Sequence, residues 1–137
     1  MRVFLDTNVV IDFYAKRGDF FRPAAVLVDL AFHGRISLYV SSLSFVNAYY
    51  VLSRTYKTDG VREKLSQFAA LCQITPIDES IIRASLTNPG SDFEDKVQFA
   101  SAQTASPDVI ITRNTKHFEG LSIPVKEPSD FLDDFLR

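Results

Sequence analysis

Short apolar runs alternate along the chain with longer segments of mixed polarity. A run of three to five residues with an uncharged apolar centre is typical of a strand that is buried on both faces of a parallel sheet. Charged and turn-forming residues separate these runs from one another. The pattern predicts five short strands, at residues 3–5, 36–40, 74–77, 108–112 and 123–125, the last at an edge of the sheet.

The segments between these runs carry apolar residues at helical spacing, with charged residues on the opposite face. Pro23 near the start and Gly34 just past the end mark the boundaries of the first long helix. Ser41 or Ser42 has the side chain that caps the next helix. The predicted helices cover residues 20–32, 42–56, 61–72, 78–86, 91–105 and 130–136, and the clearest loop is at residues 88–91.

Strands that alternate with helices predict an α/β fold. We expect a three-layer arrangement in which a central parallel sheet of about four or five strands is covered by helices on both faces. The chain has 137 residues, a length that suits one core, and no linker or repeat divides it. Residues 1–137 are therefore expected to form a single domain.

The overall charge does not indicate a nucleic-acid-binding protein. The net charge is −2 and the pI is about 5.6, so binding to a phosphate backbone would need a local basic rim or a bound metal ion. The single cysteine, Cys72, excludes an internal disulfide and favours a cytoplasmic location. Residues 36–53 are uncharged but contain five serines, so we expect a buried strand and helix and no membrane span.

Acidic and amide side chains cluster at three boundaries between predicted elements. Asp6-Thr7-Asn8 follows the first strand, Thr112-Arg113-Asn114 ends the fourth, and Asp92-Phe93-Glu94-Asp95 opens a helix. If the two strands are neighbours, all three clusters meet at the edge where parallel sheets bind ligands. Carboxylates packed together repel one another, and a hard cation such as Mg²⁺ or Mn²⁺ relieves that repulsion. Such an ion activates water and offsets charge on a phosphodiester.

Each cluster also has a purely structural interpretation. Asp6 has the side chain to cap a short helix that follows it. Ser91 with Glu94, or Asp92 with Asp95, fits a capping box, and an asparagine after a strand is most often a turn residue. The joint placement of the clusters at three matching element ends favours a shared site.

The three clusters carry a resemblance to a known family. The segments VFLDTN at residues 3–8, DFEDKVQFASA at residues 92–102 and ITRNTKHF at residues 111–118 resemble the motifs of PIN domains, in the same order and spacing over nearly the whole chain. The resemblance implies a PIN-like fold and a metal-dependent ribonuclease of the kind that forms the toxin of VapBC-type toxin–antitoxin pairs. It also implies an RNA substrate, a homodimer and a small antitoxin partner.

The resemblance assigns roles to five residues of this sequence. Asp6 resembles the acid after the first strand, Asp95 resembles the acid early in a later helix, and Asp92 is a nearby helper. Asn114 occupies a position where the family has Asp or Asn. Asn47 stands where the family usually places a glutamate. The expected metal ligands are Asp6, Asp95 and Asp92, with Asn114 and Asn47 completing the catalytic set and Mg²⁺ or Mn²⁺ as the cofactor.

Several basic and apolar residues lie outside these motifs or beside them. Arg113 and Lys116 are close in sequence to Asn114, so they are candidates for contacts with RNA phosphates, or else ordinary surface charges. His33 and His117 lack the partner spacing of a zinc site. The predicted helical segments 23–32 and 44–53 are apolar almost all round, which indicates either a partner surface or two central helices.

Three functions from different classes compete at this point. A metal-dependent ribonuclease is the first. A PIN-like module that binds RNA or protein but cuts poorly is the second, because Asn47 and Asn114 are uncharged. A phosphoacceptor receiver domain is disfavoured, since Asp6 is not preceded by another acid and no lysine ends the last core strand.

Overall fold

The computed structural model describes residues 1–87 and 92–137. The loop predicted at residues 88–91, and the Ser91 part of the predicted capping box, lie outside the described residues.

Five parallel strands form one sheet in the order β3-β2-β1-β4-β5. β1 lies at the centre and pairs with β2 on one side and with β4 on the other, with Val3 opposite both Leu38 and Val109. The strands are β1 (Arg2–Leu5), β2 (Ser37–Ser41), β3 (Cys72–Thr75), β4 (Val109–Ile111) and β5 (Val125–Lys126). The neighbouring positions of β1 and β4 satisfy the condition on which convergence of the acidic clusters depends.

Seven helices connect and flank the strands within the described residues. Two short 3-10 helices, Gly18–Phe20 and Thr115–Phe118, add single turns. The α-helices are α1 (Thr7–Ala15), α2 (Phe21–Phe32), α3 (Ser42–Leu52), α4 (Thr58–Ala69), α5 (Glu79–Thr87), α6 (Phe93–Gln103) and α7 (Pro128–Phe135).

The two faces of the sheet are covered by different helices. Because side chains alternate along a strand, Val3 and Leu5 face a large apolar core with residues of α1, α2, α3, α4 and α7. Phe4 and Ile110 point the other way, into a smaller cluster with Ala102 of α6. The three-layer α/β fold with a parallel sheet covered on both faces is therefore confirmed.

Several predicted boundaries differ from the observed ones. Cys72 has helical spacing to Phe68 but begins β3, because α4 ends at Ala69 and the chain then pairs with β2. β3 stops at Thr75, since the next residue, Pro76, has no N–H for the sheet ladder. α3 ends at Leu52, four residues before the predicted end at residue 56.

The uncharged stretch at residues 36–53 divides between β2 and α3. Among the helices of the described residues, none combines the length and the apolar character needed to cross a bilayer.

Candidate functional site

An open cleft of about 470 Å³ lies beyond the carboxyl ends of β1 and β4. The backbone N–H of Asp6 donates to the carbonyl oxygen of Ile111 at 2.9 Å, so the two strand ends are held side by side. The cleft is lined by Asp6, Thr7, Asn8, Ile11, Arg17, Asn47, Tyr50, Val51, Asp92, Glu94, Asp95, Asn114 and His117. All five residues predicted as catalytic therefore lie around one cleft.

Asp6 is the most constrained carboxylate of the cleft. It caps α1, since Oδ1 accepts from the backbone N–H of Thr7 at 2.8 Å. The same oxygen accepts from Nε2 of Gln98 at 3.0 Å, and Oδ2 accepts from the Thr112 hydroxyl at 2.8 Å. Only 9% of Asp6 is exposed. The capping role and the site role thus coexist, because the donors that cap the helix also fix the orientation of the carboxylate.

Gln98 connects the elements beneath the cleft. This α6 residue is 2% exposed, and its Nε2 donates to Asp6 and to the Ser44 hydroxyl, each at 3.0 Å. Its Oε1 accepts from the hydroxyl of Ser41, which also caps α3 by accepting from the backbone N–H of Ser44 at 3.1 Å. Sequence reasoning missed Gln98. The available signal was a polar residue one helical turn after Asp95 in an otherwise apolar stretch.

The first turn of α6 brings Asp92 and Asp95 to the cleft. Oδ1 of Asp92 accepts from the backbone N–H groups of Glu94 and Asp95, so Asp92 caps the helix. Oδ2 of Asp95 lies 3.1 Å from Nδ1 of His117. Partial burial raises the pKa of Asp95, the neighbouring His117 opposes that shift, and the charges of Asp92 and Asp6 add to it. The carboxylates of the cleft therefore repel one another electrostatically.

Glu94 is an acidic residue of the cleft that belongs to the acidic cluster found in the sequence but was not counted among the catalytic residues. Its Oε1 accepts from Nδ2 of Asn47 at 2.9 Å. Partial burial, followed by the charges of Asp92, Asp95 and Asp6, raises the pKa of Glu94, and the bond from Asn47 acts in the opposite direction. Asn47 therefore does lie in the cleft, but its amide nitrogen is directed at a carboxylate of another helix.

The end of β4 contributes Thr112 and Asn114 in different ways. Thr112 is fully buried, donates to Asp6, and accepts from the backbone N–H of Asn114 at 3.0 Å. Asn114 is exposed at the rim of the cleft. Thr112 therefore ties the rim residue to the carboxylate at the floor of the cleft.

Arg113 does not line the cleft. Its guanidinium donates to both carboxylate oxygens of Asp12, at 2.5 Å and 3.1 Å, and lies 4.2 Å from the centre of the Phe20 ring. Asp12 is nearly inaccessible to solvent, so this ion pair neutralises a buried charge. Lys116 is exposed and also lies outside the lining of the cleft. Among the described residues, the basic side chains that line the cleft are Arg17 and His117.

The cleft has the donor chemistry of a hard divalent cation. Four carboxylates, from Asp6, Asp92, Glu94 and Asp95, surround it, with amide oxygens from the asparagines, and such oxygens suit Mg²⁺ or Mn²⁺. Over residues 1–87 and 92–137, no three acidic, histidine or cysteine side chains are already grouped for an ion. Water molecules, which Mg²⁺ retains in most of its protein sites, would complete the coordination.

Fold and cleft together define an α/β domain with an acidic site at the carboxyl edge of a parallel sheet. A family model described as "PIN domain" matches residues 2–116. The chain therefore belongs to the PIN domain family, which confirms the resemblance found in the sequence.

Solved structures with the same fold include parts of toxin–antitoxin systems. A toxin–antitoxin complex from Klebsiella pneumoniae matches with 23% identity and a TM-score of 0.68, over 92% of this chain and 97% of the other. VapBC2 from Rickettsia felis, bound to a promoter DNA fragment, matches with 18% identity and a TM-score of 0.66, over 93% and 98%. VapC20 from Mycobacterium tuberculosis, described as a toxin that cleaves the Sarcin-Ricin loop, matches with 11% identity and a TM-score of 0.65, over 89% and 98%. No curated protein matches the chain.

The buried amide of Gln98 provides a test of the network under the cleft. Gln98→Leu removes a donor from Asp6 and Ser44 and leaves buried polar groups unpaired, so we expect it to lower the free energy of unfolding by about 1–3 kcal/mol. Gln103→Leu, at an exposed position of the same helix, should change it by less than about 0.5 kcal/mol. Urea unfolding followed by circular dichroism measures both. Equal small effects would show that the bonds of Gln98 contribute nothing to stability.

Proposed function

We propose that the protein is a metal-dependent ribonuclease, using Mg²⁺ or Mn²⁺, and the toxin of a toxin–antitoxin pair. The observation that carries this proposal is the Asp6 carboxylate, fixed by donors from Thr7, Gln98 and Thr112 in a cleft where three further carboxylates face it. Membership of the PIN domain family supports it. The single thiol, Cys72, is compatible with action in the cytoplasm, where we propose the RNA is cut.

Asp6, Asp95 and Asp92 would hold the ion, and Asn114 and Asn47 would complete the catalytic set. When bound, the ion lowers the pKa of a water molecule and offsets negative charge on the phosphodiester. Gln98 and Thr112 hold the Asp6 carboxylate in a fixed orientation, because each donates a hydrogen bond to one of its oxygens. Arg17 and His117 line the cleft, and we propose them as contacts for phosphate oxygens of the substrate.

Of the two residues that the sequence suggested as phosphate contacts, Arg113 and Lys116, we retain only one. Arg113 is held by Asp12 and Phe20. Moving it to a phosphate would leave the buried Asp12, among the described residues, with only the longer contact to Arg17, at 4.0 Å. Lys116 is exposed, two residues after Asn114 at the rim of the cleft. We therefore keep Lys116 as a proposed phosphate contact and assign Arg113 to the fold.

A second candidate function is an RNA- or protein-binding module that cuts poorly. The observation in its favour is that Asn47 supplies an amide where the family usually has a glutamate, so α3 brings no negative charge to the cleft. Cleavage assays separate the two functions. The binding module retains bound RNA intact in the presence of Mn²⁺, whereas the ribonuclease converts it to fragments.

We also propose an antitoxin chain and a second copy of this chain as partners. Two of the solved structures with the same fold are complexes that contain an antitoxin. Large apolar side chains are exposed on the two helices that the sequence pointed to, with Phe32 of α2 at 68% and Val46 of α3 at 66%. Exposed large apolar groups are typical of protein interfaces.

Removal of single carboxylates tests the ribonuclease directly. Asp6→Asn and Asp95→Asn should each reduce Mn²⁺-dependent cleavage of RNA by about 100-fold or more, because each removes a charged ligand. Asparagine still caps a helix, so Asp6→Asn should stay folded. Asp133→Asn, at an exposed position of α7, is the matched control and should cleave like the wild type. Cleavage that survives EDTA, or both site variants at full rate, would contradict the proposal.

Metal affinity should be lost at a higher pH than it would be with unperturbed carboxylates. Metal ions bind deprotonated carboxylates, and the pKa values of Glu94 and Asp95 are raised above their usual range. Affinity is therefore complete above those raised values and is lost as the pH falls through them. Calorimetric titration of Mn²⁺ between about pH 7 and pH 4.5 measures this loss. An affinity that stays constant over this range would show that these carboxylates do not bind the ion.

The assembly state is measurable without any partner. If the exposed apolar groups of α2 and α3 cover one another between two copies, static light scattering at tens of micromolar should give about twice the chain mass of 15.4 kDa. A stable mass of one chain over the same concentrations would contradict the homodimer.

A further inference from the structure

The hydrogen bond between Asn47 of α3 and Glu94 of α6 joins two residues that sequence reasoning treated separately. Asn47 Nδ2 lies 2.9 Å from Glu94 Oε1. A carboxylate only accepts hydrogen bonds, so the amide nitrogen of Asn47, and not its oxygen, must face Glu94. In this arrangement Asn47 donates its amide N–H to the Glu94 carboxylate.

The position of Glu94 on α6 directs it to the cleft together with Asp95. Side chains in the first turn of a helix tilt toward its N-terminus, and the N-terminus of α6 opens onto the cleft, where Asp92 caps it. Consecutive residues Glu94 and Asp95 therefore both line the cleft although they differ by about 100° around the helix axis. Asp6 faces them from the end of β1.

The charge count of the cleft follows from this placement. The α3 position contributes no carboxylate, while the first turn of α6 contributes two in succession. One of these two carboxylates, that of Glu94, accepts the hydrogen bond from Asn47 of α3. The negative charge that α3 does not supply is therefore supplied by Glu94, the residue to which Asn47 donates.

We propose that Glu94 is a ligand of the divalent cation and supplies the carboxylate that α3 lacks, with Asn47 as the residue that positions it. This inference rests on the proposed metal-dependent ribonuclease and names one further ligand of that site. Asn47 restrains the Glu94 side chain toward the cleft by donating to Oε1, which leaves Oε2 for the ion.

A helix-dipole role for Glu94 makes a different prediction. Acidic residues in the first turn of a helix stabilise it without any ligand, and Glu79 occupies the first turn of α5 in the same way. Glu79 does not line the cleft. Glu79→Gln is therefore the matched control for the loss of one negative charge at a helix N-terminus.

The experiment titrates Mn²⁺ alone into the full metal-free chain by calorimetry, without RNA. Glu94→Gln should weaken Mn²⁺ binding by about 10- to 100-fold, and Asn47→Ala, which leaves Glu94 unrestrained, by about 10-fold. Glu79→Gln should bind like the wild type. The double variant Asn47→Glu with Glu94→Gln moves the carboxylate back to α3 and restores the pair, so it should recover most of the lost affinity.

The outcomes separate this inference from the function on which it rests. Wild-type affinity in Glu94→Gln, combined with a loss in Asp6→Asn, would overturn the role of Glu94 and leave the ribonuclease intact. Undetectable Mn²⁺ binding by the wild type would overturn both. A loss in Glu94→Gln without a loss in Asn47→Ala would keep the ligand and remove the positioning role. Unfolding in metal-free buffer verifies that each variant is folded.

Discussion

The hydrogen bond from Gln98 to Asp6 is the contact on which the arrangement of the cleft depends. It joins the helix on one face of the sheet to the end of the central strand, and the same amide reaches Ser41 and Ser44 where β2 turns into α3. Polar groups buried this deeply are costly unless paired. The network therefore admits one relative placement of β1, α3 and α6, and the positions of the cleft residues follow from it.

The buried network beneath the cleft is fully hydrogen-bonded, but the carboxylates that line the cleft repel one another. Asp6 and the acidic first turn of α6 are held near one another by the fold, and the raised pKa values of Glu94 and Asp95 report the combined effect of burial and mutual repulsion. A cation that enters the cleft relieves this repulsion. The proposed ion would bind the folded cleft in preference to the unfolded chain and would therefore stabilise the fold.

Local sequence patterns account for most of the fold and for part of the site. The apolar runs predicted the central strands because both faces of β1, β2 and β4 are buried, and the residues at their ends, Asp6 and Asn114, were found for that reason. Gln98 was missed, and Glu94 was named without a catalytic role, because their contacts in the site are with partners 92 and 47 residues away. The pairing of Arg113 with Asp12 was not foreseen for the same reason, since the two residues are 101 positions apart in the sequence.

The order of the strands has a consequence for how the protein is made. β1 is synthesised first but lies in the middle of the sheet, and its partner β4 begins more than one hundred residues later, with Val3 opposite Val109. Contacts this distant along the chain have a high loop-closure entropy cost and slow folding. Thr112 and α6, which complete the surroundings of Asp6, leave the ribosome only when most of the chain has been translated. A nascent chain that ends before β4 therefore carries Asp6 without Thr112, which fixes one of its carboxylate oxygens in the folded protein.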